Sequence, residues 1–146
     1  MEIVSILLAD DDQTDRLLFK EAFEELKIKT KVNTVNDGVQ LLSYLAKKDV
    51  QLPHILFLDL NMPGKSGTEC LKEIRKNEKF KDISIAIYST SSAEKDIEET
   101  FRNGANIYIK KPNDFDILKQ LLYKAVITAH QYQDPPFNIA NFLLRL

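Results

Sequence analysis

Pro53-His54-Ile55-Leu56-Phe57-Leu58-Asp59-Leu60-Asn61-Met62-Pro63-Gly64 decides how the rest of the chain is read. Proline opens the stretch, His54 to Leu58 reads as a strand, and Asp59 stops the apolar run before a turn that closes on Pro63-Gly64. Working outward, Ile3 to Ala9 is a near-continuous apolar run about one strand long, as expected of a strand covered on both faces. Lys31 to Val35, Ile83 to Tyr88 and Ile107 to Ile109 are three further strand candidates. Between them lie stripes at helical spacing. Phe19, Ala22, Phe23 and Leu26 form the first, and Val39, Leu42, Leu45 and Ala46 the second. Ser66 to Asn77 turns Cys70, Leu71 and Ile74 inward. Ala93 to Asn103 is thin, with Ala93, Ile97 and Phe101 inward and Gly104 where a C-cap glycine belongs. Leu118, Leu121, Leu122 and Ala125 close the pattern with a long helix.

Five strands and five helices in strict alternation predict a parallel sheet with helices on both faces. Right-handed crossovers leave few topologies. The expectation is α/β, a flavodoxin-like doubly wound five-stranded parallel sheet of order 2-1-3-4-5 with a short C-terminal extension. Asn36-Asp37-Gly38 could turn a hairpin, but helical spacing follows it, so the hairpin is rejected. Residues 1–130 form one domain in this reading. Residues 131–146 stand apart: Asp134-Pro135-Pro136 breaks any helix, and Phe137, Ile139, Phe142, Leu143, Leu144 and Leu146 follow. Those apolar residues are expected to pack on a neighbour or back on the domain, so the extension is a candidate dimerisation or docking segment.

Composition removes other classes. With 146 residues and 44% hydrophobic, the chain can build one real core, and disorder fails on those figures. Lys+Arg 20 against Asp+Glu 22 leaves a net charge of −2, without the basic footprint that nucleic acid or a membrane surface requires. One cysteine, Cys70, forbids an internal disulfide, and it reads as a small buried hydrophobe. His54 and His130 are too far apart in sequence to suggest a histidine-built metal site. No apolar run approaches ~18 residues, and Met1 to Ser5 lacks a basic leader. A cytoplasmic, reducing compartment is expected.

Ligands of open parallel sheets bind beyond the carboxyl ends of the strands. Strand one ends in Asp10-Asp11-Asp12, strand three in Asp59, strand four in Ser89-Thr90-Ser91-Ser92, and strand five in Lys110-Lys111-Pro112. Adjacent strands lie about 4.8 Å apart, so these side chains can reach a common point. Clustered carboxylates repel unless a counter-charge intervenes. Mg²⁺ takes one or two carboxylates with phosphate oxygens, a lysine adds a point charge, and an aspartate can attack phosphorus. The set fits phosphoryl transfer to an aspartate better than proton abstraction or acyl transfer. Asp12, with Asp15 three residues on, reads instead as a helix N-cap, and one of the serines after strand four as another.

These residues resemble the receiver domain of bacterial response regulators, the CheY-like family, from Ile6 to about His130. The resemblance is carried by Leu8-Ala9-Asp10-Asp11-Asp12, Asp59-Leu60-Asn61-Met62-Pro63-Gly64, Tyr88-Ser89-Thr90 and Lys111-Pro112, in the family's order and spacing. Chemotaxis receivers are themselves a standard instance of the strand order above, so the topology is not independent support. The resemblance implies a single-domain response regulator of a two-component phosphorelay. It would accept a phosphoryl group on Asp59 from a histidine kinase or histidine phosphotransfer protein and signal to a downstream protein by contact. It implies no enzyme beyond the domain's own phosphotransfer and dephosphorylation. Mg²⁺ would be held directly by Asp11 and Asp59, by Asp10 mainly through water, and by the main-chain carbonyl of Asn61. Ser89 and Lys111 would bind phosphoryl oxygens. Tyr108 matches the aromatic that swings inward when Ser89 moves toward the phosphate.

Two departures bear on phosphate lifetime: Thr90 stands where Ala or Gly is common, and Asn113 stands where Phe is common. Two other functions are weighed. A haloacid-dehalogenase-type phosphatase also uses a strand-ending aspartate, but Asn61 replaces its usual general acid. A phosphate-independent interaction module would not need the complete acidic set. A homodimer through the extension is compatible with the receiver reading, and some phytochrome-associated single-domain receivers look similar here.

Overall fold

The computed structural model describes residues 3–131 and 139–146. Its elements run β1 (Val4–Ala9), α1 (Gln13–Glu25), β2 (Thr30–Val35), α2 (Gly38–Ala46), β3 (Ile55–Leu58), α3 (Gly67–Lys76), a short 3-10 turn (Glu78–Phe80), β4 (Ser84–Ser89), α4 (Glu94–Arg102), β5 (Ile107–Lys110), α5 (Phe115–Gln131) and α6 (Ile139–Phe142). All paired strands are parallel, in the expected order β2-β1-β3-β4-β5.

The unbroken apolar strands are buried on both sides because successive side chains face opposite layers. Leu7, Leu56, Leu58, Ile85 and Ile87 pack with Leu41, Leu45, Cys70, Leu71 and Ile74 on the side of α2 and α3. Ile6, Leu8, Ile55, Phe57 and Ala86 meet Phe19, Ala22, Phe23, Leu118, Leu122 and Ala125 of α1 and α5 on the other. Phe19 sits edge-on to both Phe23 and Phe57, with ring centroids 5.0 Å apart in each pair.

Polar side chains start the helices. Asp12 accepts from the Asp15 N–H at 2.9 Å, Asp37 from Gln40 at 2.8 Å and Ser66 from Glu69 at 3.2 Å. Asp12 is thus the N-cap the sequence predicts, and Asp37 begins a helix rather than a hairpin. Gly104 has φ +93 beyond α4, a left-handed conformation that glycine adopts without strain.

Three expectations need correction. In α2 the inward stripe is Gly38, Leu41 and Leu45, while Val39 is 60% exposed and Ala46 is also exposed. Gly38 carries no hydrophobic signal, so its burial is invisible in the pattern and the stripe is misread by one position. In α4, Ala93 is the exposed N-cap, and the buried position is Thr100, whose hydroxyl is satisfied by donating to the Asp96 carbonyl at 2.8 Å. None of the serines after β4 caps α4. Ser91 instead folds the loop, its Oγ accepting from the Ala93 N–H at 3.2 Å and donating to Asp96 at 2.5 Å.

The C-terminal residues pack back on the domain. Phe142 is fully buried between Phe101 and Tyr108, at centroid distances of 5.3 and 5.9 Å. Leu143 pairs with Tyr108 as an isolated parallel bridge, and the Leu144 N–H donates to the Tyr108 carbonyl at 2.9 Å. The Asp134-Pro135-Pro136 break and Phe137 lie outside the described residues.

Candidate functional site

The strand register brings four chain segments to one edge. Ala9 pairs with Leu58, Leu58 with Ile87, and Ser89 with Lys110, so β1, β3, β4 and β5 end together. Backbone bonds carry the alignment one residue further. The Asp10 N–H donates to the Val35 carbonyl at 3.1 Å, Asp59 to Ala9 at 3.0 Å and Lys111 to Ser89 at 2.8 Å. Behind Asp59, Gly67 begins α3 so close that an added Cβ would stand 2.1 Å from the Asp59 carbonyl oxygen. Only glycine allows α3 to start there.

The sequence-predicted carboxylates converge. One oxygen each from Asp10, Asp11 and Asp59 lies within 4.8 Å of the others. Asp10 is fully buried and accepts from the Asp12 N–H at 2.9 Å. Asp59 is 5% exposed and accepts from the Asn61 N–H at 3.4 Å, while Asp11 faces solvent. Lys111 enters from β5, its Nζ 2.7 Å from Asp10, 2.9 Å from Asp15 and 3.8 Å from Asp59, and 5.1 Å from the centre of the Tyr88 ring.

Burial pushes the Asp59 carboxyl up to about 7, with Lys111 opposing the shift and the Asp10 charge adding to it. Burial also raises Asp10, against its hydrogen bond from Lys111. For Lys111 burial acts in the lowering direction, yet the hydrogen bonds it donates to Asp10 and Asp15 outweigh it and hold the ammonium above its ordinary value. One lysine therefore faces three carboxylates, Asp10, Asp15 and Asp59, in a partly dehydrated pocket, with Asp11 a fourth at its solvent side. Hard oxygen donors with excess negative charge fit a divalent cation.

The other predicted residues lie around this centre. Ser89 is fully buried, its Oγ accepting from the Ser91 N–H at 3.1 Å. Asn61 follows Asp59 in the β3–α3 loop and is exposed, as are Thr90 and Asn113. Tyr108 is fully buried on the α3 side of the sheet, and its hydroxyl donates to the Ser91 carbonyl at 2.9 Å. His54 does structural duty, its Nδ1 accepting from the Ser5 N–H at 2.9 Å.

Sequence reasoning missed two contributors. Arg16 donates to the Asp10 carbonyl at 2.8 Å and so fixes the β1–α1 loop. Asp15, read only as part of a helix start, is the second partner of Lys111. Its place in the first turn of α1, just past the strand end, was the available signal.

A doubly wound sheet that gathers buried carboxylates and one lysine at its carboxyl edge defines a class, the aspartate-based phosphoryl-accepting domains. Residues 6–123 match the response regulator receiver domain, and the chain belongs to that family. It is 31% identical to chemotaxis protein CheY-3 of Vibrio cholerae over 121 residues, covering 83% of this chain and 90% of that one. The phosphorylated cyanobacterial phytochrome response regulator RcpA superposes with a TM-score of 0.79 at 31% identity, covering 85% of this chain and 91% of that one. The Mn²⁺-bound form of Rcp1, from Synechocystis sp., gives 0.76 at 27% identity, covering 83% and 90%. The chain is therefore a phospho-accepting receiver domain with an acidic pocket of Asp10, Asp11 and Asp59, in a family that binds a divalent metal at that pocket. Receiver domains work with histidine kinases or phosphotransfer proteins, and a signalling role follows. Among the described residues, no helix is long and apolar enough to cross a membrane.

Proposed function

We propose that Asp59 is the phospho-acceptor and that Mg²⁺ assists it, bound directly by Asp11, Asp59 and the Asn61 carbonyl, with Asp10 acting mainly through water. The observation that carries this reading is the convergence of three carboxylate oxygens within 4.8 Å, with the Lys111 ammonium 3.8 Å from Asp59. An Asp59 oxygen forms a bond to phosphorus as the bond from phosphorus to a donor histidine nitrogen breaks, its electron pair returning to the imidazole. Magnesium, when bound by those residues, would supply positive charge against the phosphoryl oxygens. Lys111 offers a hydrogen to one of those oxygens and Ser89 a hydroxyl to another. Burial keeps competing water away from the acceptor. The chain catalyses its own phosphotransfer and dephosphorylation and turns over no other substrate.

Incubation with Mg²⁺ and acetyl phosphate should add one acid-labile phosphate. Retention of that label in Asp59→Ala would overturn the assignment.

The donor in this reading is a phosphohistidine on a kinase or phosphotransfer protein in the cytoplasm, and the output is contact with a downstream protein rather than nucleic acid. Tyr108 acts as the switch together with Ser89, since its hydroxyl already bonds Ser91 in the β4–α4 loop, whose own N–H donates to the Ser89 hydroxyl. Residues 131–146 form an extension distinct from the 1–130 domain. Phe142 is the anchor by which it docks, on its own body or, exchanged, on a second copy. Sedimentation of the chain with and without residues 131–146 tests the dimer, and equal oligomeric mass for both removes it.

A further inference from the structure

Asp15 sits at the third position of α1, where an acidic side chain ordinarily turns back to the N-cap amide or simply favours the helix dipole. Here its carboxylate goes elsewhere. Its Oδ2 is 2.9 Å from the Nζ of Lys111, a residue 96 positions away, and 32% of its side chain remains exposed. An ammonium has three hydrogens. Asp10 takes one at 2.7 Å and Asp15 a second at 2.9 Å, which leaves the third on the side of Asp59, at 3.8 Å and beyond hydrogen-bond length.

We infer that Asp15 is a positioning residue that holds Lys111 back from Asp59. The inference rests on the reading of Asp59 as acceptor and extends it. Without the second anchor, the ammonium has one partner and a flexible stem of four carbons, and Asp59 is the nearest remaining carboxylate. A lysine bonded to Asp59 would take up one of its acceptor sites and draw charge from the oxygen that must attack phosphorus. Held between Asp10 and Asp15, it leaves that oxygen open and presents its third hydrogen to the incoming phosphoryl group. Asp10 alone cannot do this, because a single bond leaves the ammonium free to swing about it.

The test is Asp15→Asn, with Asp15→Glu as the conservative counterpart. With Mg²⁺ saturating and acetyl phosphate as donor, Asp15→Asn should take up phosphate about tenfold more slowly, the size of one charge-assisted hydrogen bond. Asp15→Glu should recover most of the rate. In a Lys111→Ala background, Asp15→Asn should have no further effect; an equal tenfold loss there would show that it acts independently of the lysine and overturn the inference. A second readout needs no phosphate. In the metal-free chain the NH₃⁺ resonance of Lys111 should be resolved for the wild type and should shift or exchange-broaden in Asp15→Asn; an unchanged resonance refutes the positioning role. If the wild type takes up no phosphate at all, the Asp59 reading fails, and the lysine resonance still decides whether Asp15 anchors Lys111.

Discussion

Replacing Asp59 by asparagine removes a charge from a nearly dry pocket while keeping its shape, and the effect on stability can be worked from its environment. In the folded chain the carboxyl titrates near 7, chiefly because it is buried, against an ordinary value of 3.8. The folded state therefore binds this proton more tightly than the unfolded state, so stability falls as pH rises through the window from about 4 to 7. At about 1.4 kcal/mol per unit, a difference of about 3 units sets a ceiling near 4 kcal/mol. Asp59 is only 5% exposed, so surface screening removes little of it. In EDTA, urea denaturation at pH 8 should find Asp59→Asn more stable than wild type by about 2–4 kcal/mol, and that gain should vanish toward pH 4. Mg²⁺ at a hundred times its dissociation constant should then raise the wild type by about 2.7 kcal/mol and help little in the variant. A variant no more stable than wild type at pH 8 without metal, or a gain that ignores pH, would refute the reasoning.

Arg75 is a mostly buried cation whose guanidinium bonds the carbonyls of Gly104, Phe80 and Ile83 and the side chain of Asn106. Arg75→Met should cost about 3 kcal/mol in chemical denaturation, since it orphans several buried acceptors at once; a loss under about 1 kcal/mol would show that water replaces them. Gly67→Ala should lower both metal affinity and phosphate uptake by tenfold or more, because its Cβ would overlap the Asp59 carbonyl; wild-type metal affinity by calorimetry would count against this. Phe142→Ala should lower stability by about 3 kcal/mol, whereas truncating the exposed Leu146 should change it by less than about 0.5. Equal losses at the two positions would mean that Phe142 is not the anchor.

What could be read from the chain alone follows the physics of each signal. Strands buried on both faces announce themselves as uninterrupted apolar runs, and a parallel sheet puts their last residues on one edge, so Asp10, Asp59, Ser89 and Lys111 were legible as a group. Helix faces were less so where a glycine or a threonine occupies the buried position, as Gly38 and Thr100 do. Burial there is decided by close backbone approach or by a hydroxyl satisfied within its own helix, and neither changes the hydrophobic pattern. Asp15 was hidden for a different reason. Its partner is distant in sequence, and its local context offers the sufficient explanation of a helix start. Ser91 likewise reads as a cap, although three of its polar groups tie together the Ser89 hydroxyl, α4 and the Tyr108 hydroxyl.

The bridge between Leu143 and Tyr108 has a practical consequence. β5 is an outer strand of the sheet, and the chain's own last residues cover part of it together with the rings of Phe101 and Tyr108. A version cut at residue 130 to isolate the α/β body would bare those rings and leave the Tyr108 carbonyl without its donor. Baits made that way would be adhesive on a surface the whole chain keeps shut, and would trap apolar proteins for reasons unrelated to signalling.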